Sequence, residues 1–167
     1  MAQAATKEVK EFVFLLIDKF SMIAFASAIE PLRVANRMAD NTLYDWSLAS
    51  ENGEAVRCSN GTRLLPDAPL ADVDRDAMII VCGGVDVKQA TTPGVLSWIR
   101  KQSRRGVSLG ALCTGTYALV KAGLLDDKKC TIHWENRESL REEFPEIELT
   151  NHLFERDGAR WTCAGGT

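Results

Sequence analysis

Val107-Ser108-Leu109-Gly110-Ala111-Leu112-Cys113-Thr114-Gly115-Thr116-Tyr117-Ala118-Leu119 is an apolar strand that stops on a cysteine and reopens at once as a helix. Ala111 and Gly115 stand two positions to either side of Cys113. This is the spacing of a nucleophile elbow, where larger neighbours would collide inside the tight turn that pushes the central side chain outward. Cys113 is therefore expected to project from the carboxyl edge of a sheet into a pocket. The helix starting at Thr114 should aim its unpaired amides and positive dipole end at the sulfur, which favours the thiolate and lowers the thiol pKa.

On either side of the elbow, apolar runs of strand length alternate with amphipathic helical stretches, which predicts an α/β fold with a parallel sheet covered on both faces. Residues 12–17, 44–50, 77–82 and 107–112 read as strands. Ser21 caps a helix bearing Ile23, Ala26, Ile29 and Ala35, with a kink or break expected at Pro31. Further helices are expected over 93–105, over 114–122 with Gly123 as its stop, and over 134–144 before Pro145. Glu51-Asn52-Gly53 reads as a turn leading into irregular strand or hairpin material over 56–65. A short strand is expected at 130–132, and a late hairpin over 153–163 turns at Asp157-Gly158.

The chain has 167 residues, 46% of them hydrophobic and 26% charged, a composition suited to one domain with a sizeable core. A net charge of -3 supplies no electrostatic footprint for a phosphate backbone, so this segment is not expected to grip DNA by itself. Arg100, Lys101, Arg104 and Arg105 alternate with Val95, Trp98 and Ile99 and read as the solvated face of a helix. Five cysteines without a C-x-x-C pair, and a start that lacks the apolar core of a signal peptide, point to a reduced, cytoplasmic protein. No stretch approaches the roughly 20 apolar residues that cross a bilayer, so no membrane partner is expected. Two histidines and scattered thiols give no metal-ligand spacing, and neither a metal nor a cofactor is expected.

In an open parallel sheet, ligands bind outside the carboxyl ends of the strands, where Asp18, Gly83, Gly84, Cys113 and His133 all fall. Gly83 and Gly84 could bring backbone amides to the elbow and form, with the amide of Thr114, an oxyanion hole; any tight strand-to-helix turn also wants glycine. Cys113 lines a functional pocket in one reading and is a small buried hydrophobe in the other. His133 could take the thiol proton if its ring comes within reach, or could serve as a polar helix cap. Trp134 could wall the pocket and offer a π-face to a cation, or simply pack.

The elbow Ala111-Leu112-Cys113-Thr114-Gly115, the preceding Gly83-Gly84, and Ala122-Gly123-Leu124-Leu125 with Thr131-Ile132-His133-Trp134 resemble the PfpI-type branch of the class I glutamine amidotransferase-like superfamily, over nearly the whole chain. That resemblance implies a flavodoxin-like three-layer sandwich with a mostly parallel central sheet. The stretch Phe20-Ser21-Met22-Ile23-Ala24-Phe25-Ala26-Ser27-Ala28-Ile29-Glu30-Pro31-Leu32-Arg33-Val34-Ala35-Asn36 resembles the opening of GlxA-type regulators of the AraC family. In such regulators a PfpI-like sensor precedes a helix-turn-helix domain, and members with assigned ligands often respond to amino acids, quaternary amines or related nitrogen compounds.

The resemblance thus implies a single sensing domain over 1–167, a homodimer, a small-molecule effector bound near Gly83, Gly84, Cys113, Thr114, His133 and Trp134, and DNA contacted through a C-terminal domain outside this chain. Ala164-Gly165-Gly166-Thr167 reads as the turn and cap that open a last helix, so the chain is expected to belong to a longer protein. Enzymes of the superfamily, such as isocyanide hydratases, carry an acid shortly after the first strand beside the cysteine sulfur; here that position is Ala24. Its absence disfavours catalysis. The alternative is a cysteine-dependent hydrolase, amidase or hydratase with Cys113 as nucleophile, His133 as base, and the Gly84 and Thr114 amides as anion donors.

Overall fold

The computed structural model describes residues 9–165. The elements run β1 (Lys10–Leu16), α1 (Met22–Ala39), β2 (Tyr44–Ser50), β3 (Val56–Arg57), β4 (Arg63–Leu64), β5 (Ala68–Pro69), β6 (Met78–Cys82), α2 (Val87–Ala90), α3 (Pro93–Arg104), β7 (Ser108–Leu112), α4 (Thr116–Lys121), α5 (Arg137–Glu143), β8 (Phe154–Asp157) and β9 (Arg160–Cys163). Seven strands form one sheet in the order β5-β2-β1-β6-β7-β9-β8, parallel throughout except for the β8–β9 hairpin. This is the mostly parallel α/β architecture that the alternation of runs predicts.

The sheet separates two apolar layers. Leu15, Ile17, Ile79, Val81, Leu109 and Ala111 face α3 and α4, where Trp98, Ile99 and Leu119 complete the larger core. Phe14, Leu16, Met78, Ile80 and Cys82 face the other way, toward Phe20 and Phe25 beside α1. Because both faces are buried, β6 and β1 from Phe12 onward read as unbroken apolar runs with no polar alternation. Phe25 meets Phe14 and Phe20 edge-on, at centroid distances of 5.5 and 5.7 Å, a geometry that aromatic quadrupoles favour.

The chain leaves β1 for β2 on one side and returns to β6 on the other, so the order reverses between β1 and β6. In open α/β sheets the crevice at such a reversal is where ligands bind. The carboxyl edge there holds Asp18, Lys19, Gly83 and Gly84.

Several local expectations are corrected. α1 runs unbroken through Pro31 to Ala39 and stops at Asp40, whose φ is 49°; Ser21 is its N-cap, accepting from the Ala24 amide at 3.4 Å. Residues 130–132 form no strand, only an isolated bridge between Cys130 and Leu149. Bonds to other segments take the ladder's place: the Thr131 amide donates to the Thr162 hydroxyl, and the Thr131 carbonyl accepts from the Thr116 hydroxyl. The basic side chains of α3 are more than a solvated face. Arg100 caps the end of α4 through the carbonyls of Lys121 and Ala122, while Lys101 and Arg105 both pair with Asp72. Gly166 and Thr167, half of the expected helix opening, lie outside the described residues.

Candidate functional site

The elbow is built by close packing of backbone. Cys113 has φ 59°, a left-handed conformation that costs a non-glycine residue roughly 1–2 kcal/mol. The turn is permitted because a Cβ on Gly115 would lie 2.3 Å from the Val81 carbonyl oxygen, and one on Gly83 would lie 2.3 Å from the Gly115 nitrogen. A Cβ on Gly84 would meet the Lys19 carbonyl oxygen at 2.0 Å. Glycine at 83, 84 and 115 is thus a packing requirement at the crossing of the β1, β6 and β7 ends.

This packing consumes most of the backbone groups. The Gly83 amide donates to the Leu112 carbonyl at 3.3 Å, and the Gly83 carbonyl accepts from the Ser21 amide at 2.9 Å. The Thr114 hydroxyl donates to the Gly84 carbonyl at 2.6 Å. Gly83 therefore does not offer the free donor that an oxyanion hole requires, which corrects the expectation for that residue.

The thiol itself also departs from expectation. Cys113 is only 7% exposed. Burial pushes its pKa above the ordinary thiol value, and this outweighs the thiolate-stabilising contacts from the Thr114 amide and the Ser21 hydroxyl. The helical dipole does not reverse the balance, because the chain passes first through a 3₁₀ turn at Cys113–Gly115 and the α4 helix spans only six residues. The Ser21 contact was not read from the sequence, where Ser21 signalled a helix cap alone. Ala24, which the resemblance matches to the enzymes' acid, is buried.

His133 is joined to the elbow by its backbone, its amide donating to the Cys113 carbonyl at 3.2 Å. Its ring caps the 3₁₀ turn Trp134–Asn136, with Nδ1 accepting from the Glu135 amide at 3.4 Å and lying 3.7 Å from the Glu135 carboxylate. The polar-cap reading describes this ring. Trp134 stacks obliquely on it, with centroids 5.7 Å apart, and is 69% exposed, so its face is open to solvent.

Two hollows of about 370 Å³ each open at the carboxyl edge. One is lined by Asp18, Lys19, Asp86, Gln89 and Ala90; the other shares Asp18, Gln89 and Ala90 and extends to Ser50, Glu51 and Glu54. Cys113 borders neither. Lys19 and Asp86 form an ion pair across the strand order reversal, and both have left-handed backbones. A groove of about 500 Å³, apolar in its lining, runs over the α1 side of β6, β7 and β9 past Phe12, Ile80, Leu112, Phe154 and Trp161. Among the described residues, no group of three His, Cys, Asp or Glu side chains is placed to hold a metal.

A mostly parallel sheet ending in a cysteine elbow braced by Gly83 and Gly115 defines a class, and residues 10–166 match the DJ-1/PfpI family: the chain belongs to it. Several of its relatives are HTH-type transcriptional regulators. The chain is 42% identical over 154 residues to the HTH-type transcriptional regulator GbdR of Pseudomonas aeruginosa, covering 92% of this chain and 42% of the relative. It is 34% identical over 170 residues to the HTH-type transcriptional regulator GlxA of Rhizobium meliloti, covering 99% and 51%. Among solved structures, an AraC family transcriptional regulator from Pseudomonas putida superposes with a TM-score of 0.81 at 29% identity, over 94% of this chain and 84% of that one. The chain spans about half the length of the curated relatives it matches.

Proposed function

We propose that the chain is the ligand-sensing domain of an AraC-type transcriptional regulator, cytoplasmic and homodimeric, with DNA contacted through a C-terminal helix-turn-helix domain outside this chain. A small nitrogen metabolite, an amino acid or a quaternary amine, binds at the carboxyl edge near Gly83, Gly84, Cys113, Thr114, His133 and Trp134. Ligand affinity differs between two dimer or interdomain arrangements, since a ligand that binds both equally shifts nothing. The domain does not turn its ligand over.

The observation that carries this reading is the state of the elbow thiol. Cys113 is buried and biased toward the protonated form, and its polar neighbours are an amide and a hydroxyl. Nucleophilic catalysis needs the thiolate and a proton acceptor, and the His133 Nδ1 faces Glu135, accepting from its amide. The open face of Trp134 beside the exposed Glu135 carboxylate suits a cationic head group. Two relatives at 42% and 34% identity are HTH-type transcriptional regulators, which supports the same reading.

Titration calorimetry with a panel of amino acids and quaternary amines tests the reading. A ligand that binds the wild type, binds Cys113→Ser with similar affinity, and loses affinity in Trp134→Ala is the expected result. Turnover of an amide or isocyanide that disappears with Cys113→Ser would replace the sensor by a cysteine-dependent enzyme.

A further inference from the structure

Leu112, the last residue of β7, is in register with Cys82 on β6 and with Cys163 on β9. Cys113 is one step further along the chain, so three of the five cysteines gather on one short row of the carboxyl edge. Neighbouring strands lie about 4.8 Å apart and successive Cα atoms about 3.8 Å apart, which places the Cα atoms of Cys113 and Cys163 roughly 6 Å from each other. Disulfides span Cα separations of about 4.4–6.8 Å.

Both thiols lie on the same side of the sheet. The Cys113 sulfur contacts the hydroxyl of Ser21, which opens α1. Cys163 shares the apolar groove on the α1 side with its register partner Leu112. The two differ in access: Cys163 is half-buried and donates to the Gly165 carbonyl at 3.1 Å, whereas Cys113 is buried, and Cys82 is sealed inside the core. Among the described residues all five cysteines are free thiols.

We propose that Cys163 and Cys113 are a redox pair, in which a hydroperoxide oxidises Cys163 and Cys113 then closes a disulfide that fastens the elbow to the end of β9. The Cys163 thiolate attacks the peroxide oxygen, the O–O bond breaks, and the leaving alkoxide or hydroxide departs with a proton as alcohol or water. The Cys113 sulfur then displaces the hydroxyl of the Cys163 sulfenic acid, which leaves as water with the Cys113 thiol proton. Two thiols lose two electrons in total and the peroxide gains them. Exposure sets the order, because the accessible thiol meets the oxidant first. The buried one needs no encounter, since the register already holds it beside its target.

The protein, freed of reductant, is treated with hydrogen peroxide, alkylated, digested and read by mass spectrometry. A Cys113–Cys163 cross-linked peptide that dithiothreitol cleaves is expected. Cys163→Ser should abolish the link and leave Cys113 reduced. Cys113→Ser should accumulate a Cys163 sulfenic acid that dimedone traps. Cys82→Ser should keep the link, and it keeps the test decisive if the elbow variant does not fold. Peroxide that drives Cys113 to a sulfinic acid while Cys163 stays free, or that leaves both thiols unlinked, overturns the proposal.

Discussion

Ser21 does two jobs at one point: its hydroxyl caps α1 through the Ala24 amide and contacts the Cys113 sulfur. Ser21→Ala should cost about 1 kcal/mol through the lost cap, a fall in Tm of roughly 2–4 °C for a domain of this size. It also removes a contact that favours the thiolate, so Cys113 should react more slowly with iodoacetamide at pH 8, followed peptide by peptide; faster reaction would mean that the hydroxyl acts as a shield. Gly83→Ala is harsher. Its Cβ would press on the Gly115 backbone, which has no soft side chain to move aside. A loss of about 1–3 kcal/mol or more is expected in a denaturant titration, and an unchanged midpoint would show that the elbow can relax.

α1 is an element built against its own sequence preference. Pro31 sits in its interior with no amide to give to the preceding turn, yet the helix continues for eight further residues to Ala39. It persists because Phe25, Ile29 and Leu32 pack on the sheet, and tertiary burial outweighs a local penalty. Pro31 itself is exposed, so Pro31→Ala should stabilise the protein by about 1–2 kcal/mol, the helix gain being partly offset by a freer unfolded chain. A lower Tm would instead mean that α1 needs the local geometry that proline imposes.

The same contrast marks what the sequence made legible. The buried strands around Phe14, Ile79 and Leu109 and the turn at Asp157-Gly158 carry strong local patterns, and the elbow was readable because its small residues stand at fixed offsets from Cys113. What remained hidden depends on contacts far apart in the chain. The spent Gly83 amide, the Ser21 hydroxyl at the sulfur and the Thr131 hydroxyl network are set by how distant segments meet, and no spacing rule reports that. The state of the Cys113 thiol was misread for the same reason, since the local turn suggests a dipole while the surrounding core imposes burial.

Taken as a whole, the molecule stores proton uptake in its core. In the unfolded chain a thiol ionises near about 8.5, whereas burial raises Cys58, Cys82, Cys113 and Cys130 above their ordinary value, Cys130 to about 12. Below the unfolded value both states keep the proton and stability is full. Above it the unfolded chain sheds protons that the folded one retains, so stability falls as pH rises toward the folded values, by up to about 1.4 kcal/mol per unit for each thiol held protonated. Urea midpoints should be level from pH 7 to 8 and decline from pH 9 upward; level midpoints through pH 10.5 would mean that the thiols titrate alike in both states.

The place of β1 in the strand order sets a schedule for synthesis. It leaves the ribosome before the other strands of this sheet and pairs with β2 soon after, but its other neighbour, β6, begins about 60 residues later. At roughly 5–20 residues per second, one edge of the apolar run from Phe12 to Leu16 waits several seconds for its partner. Until Met78–Cys82 emerges, that edge is the nascent chain's main liability to aggregation.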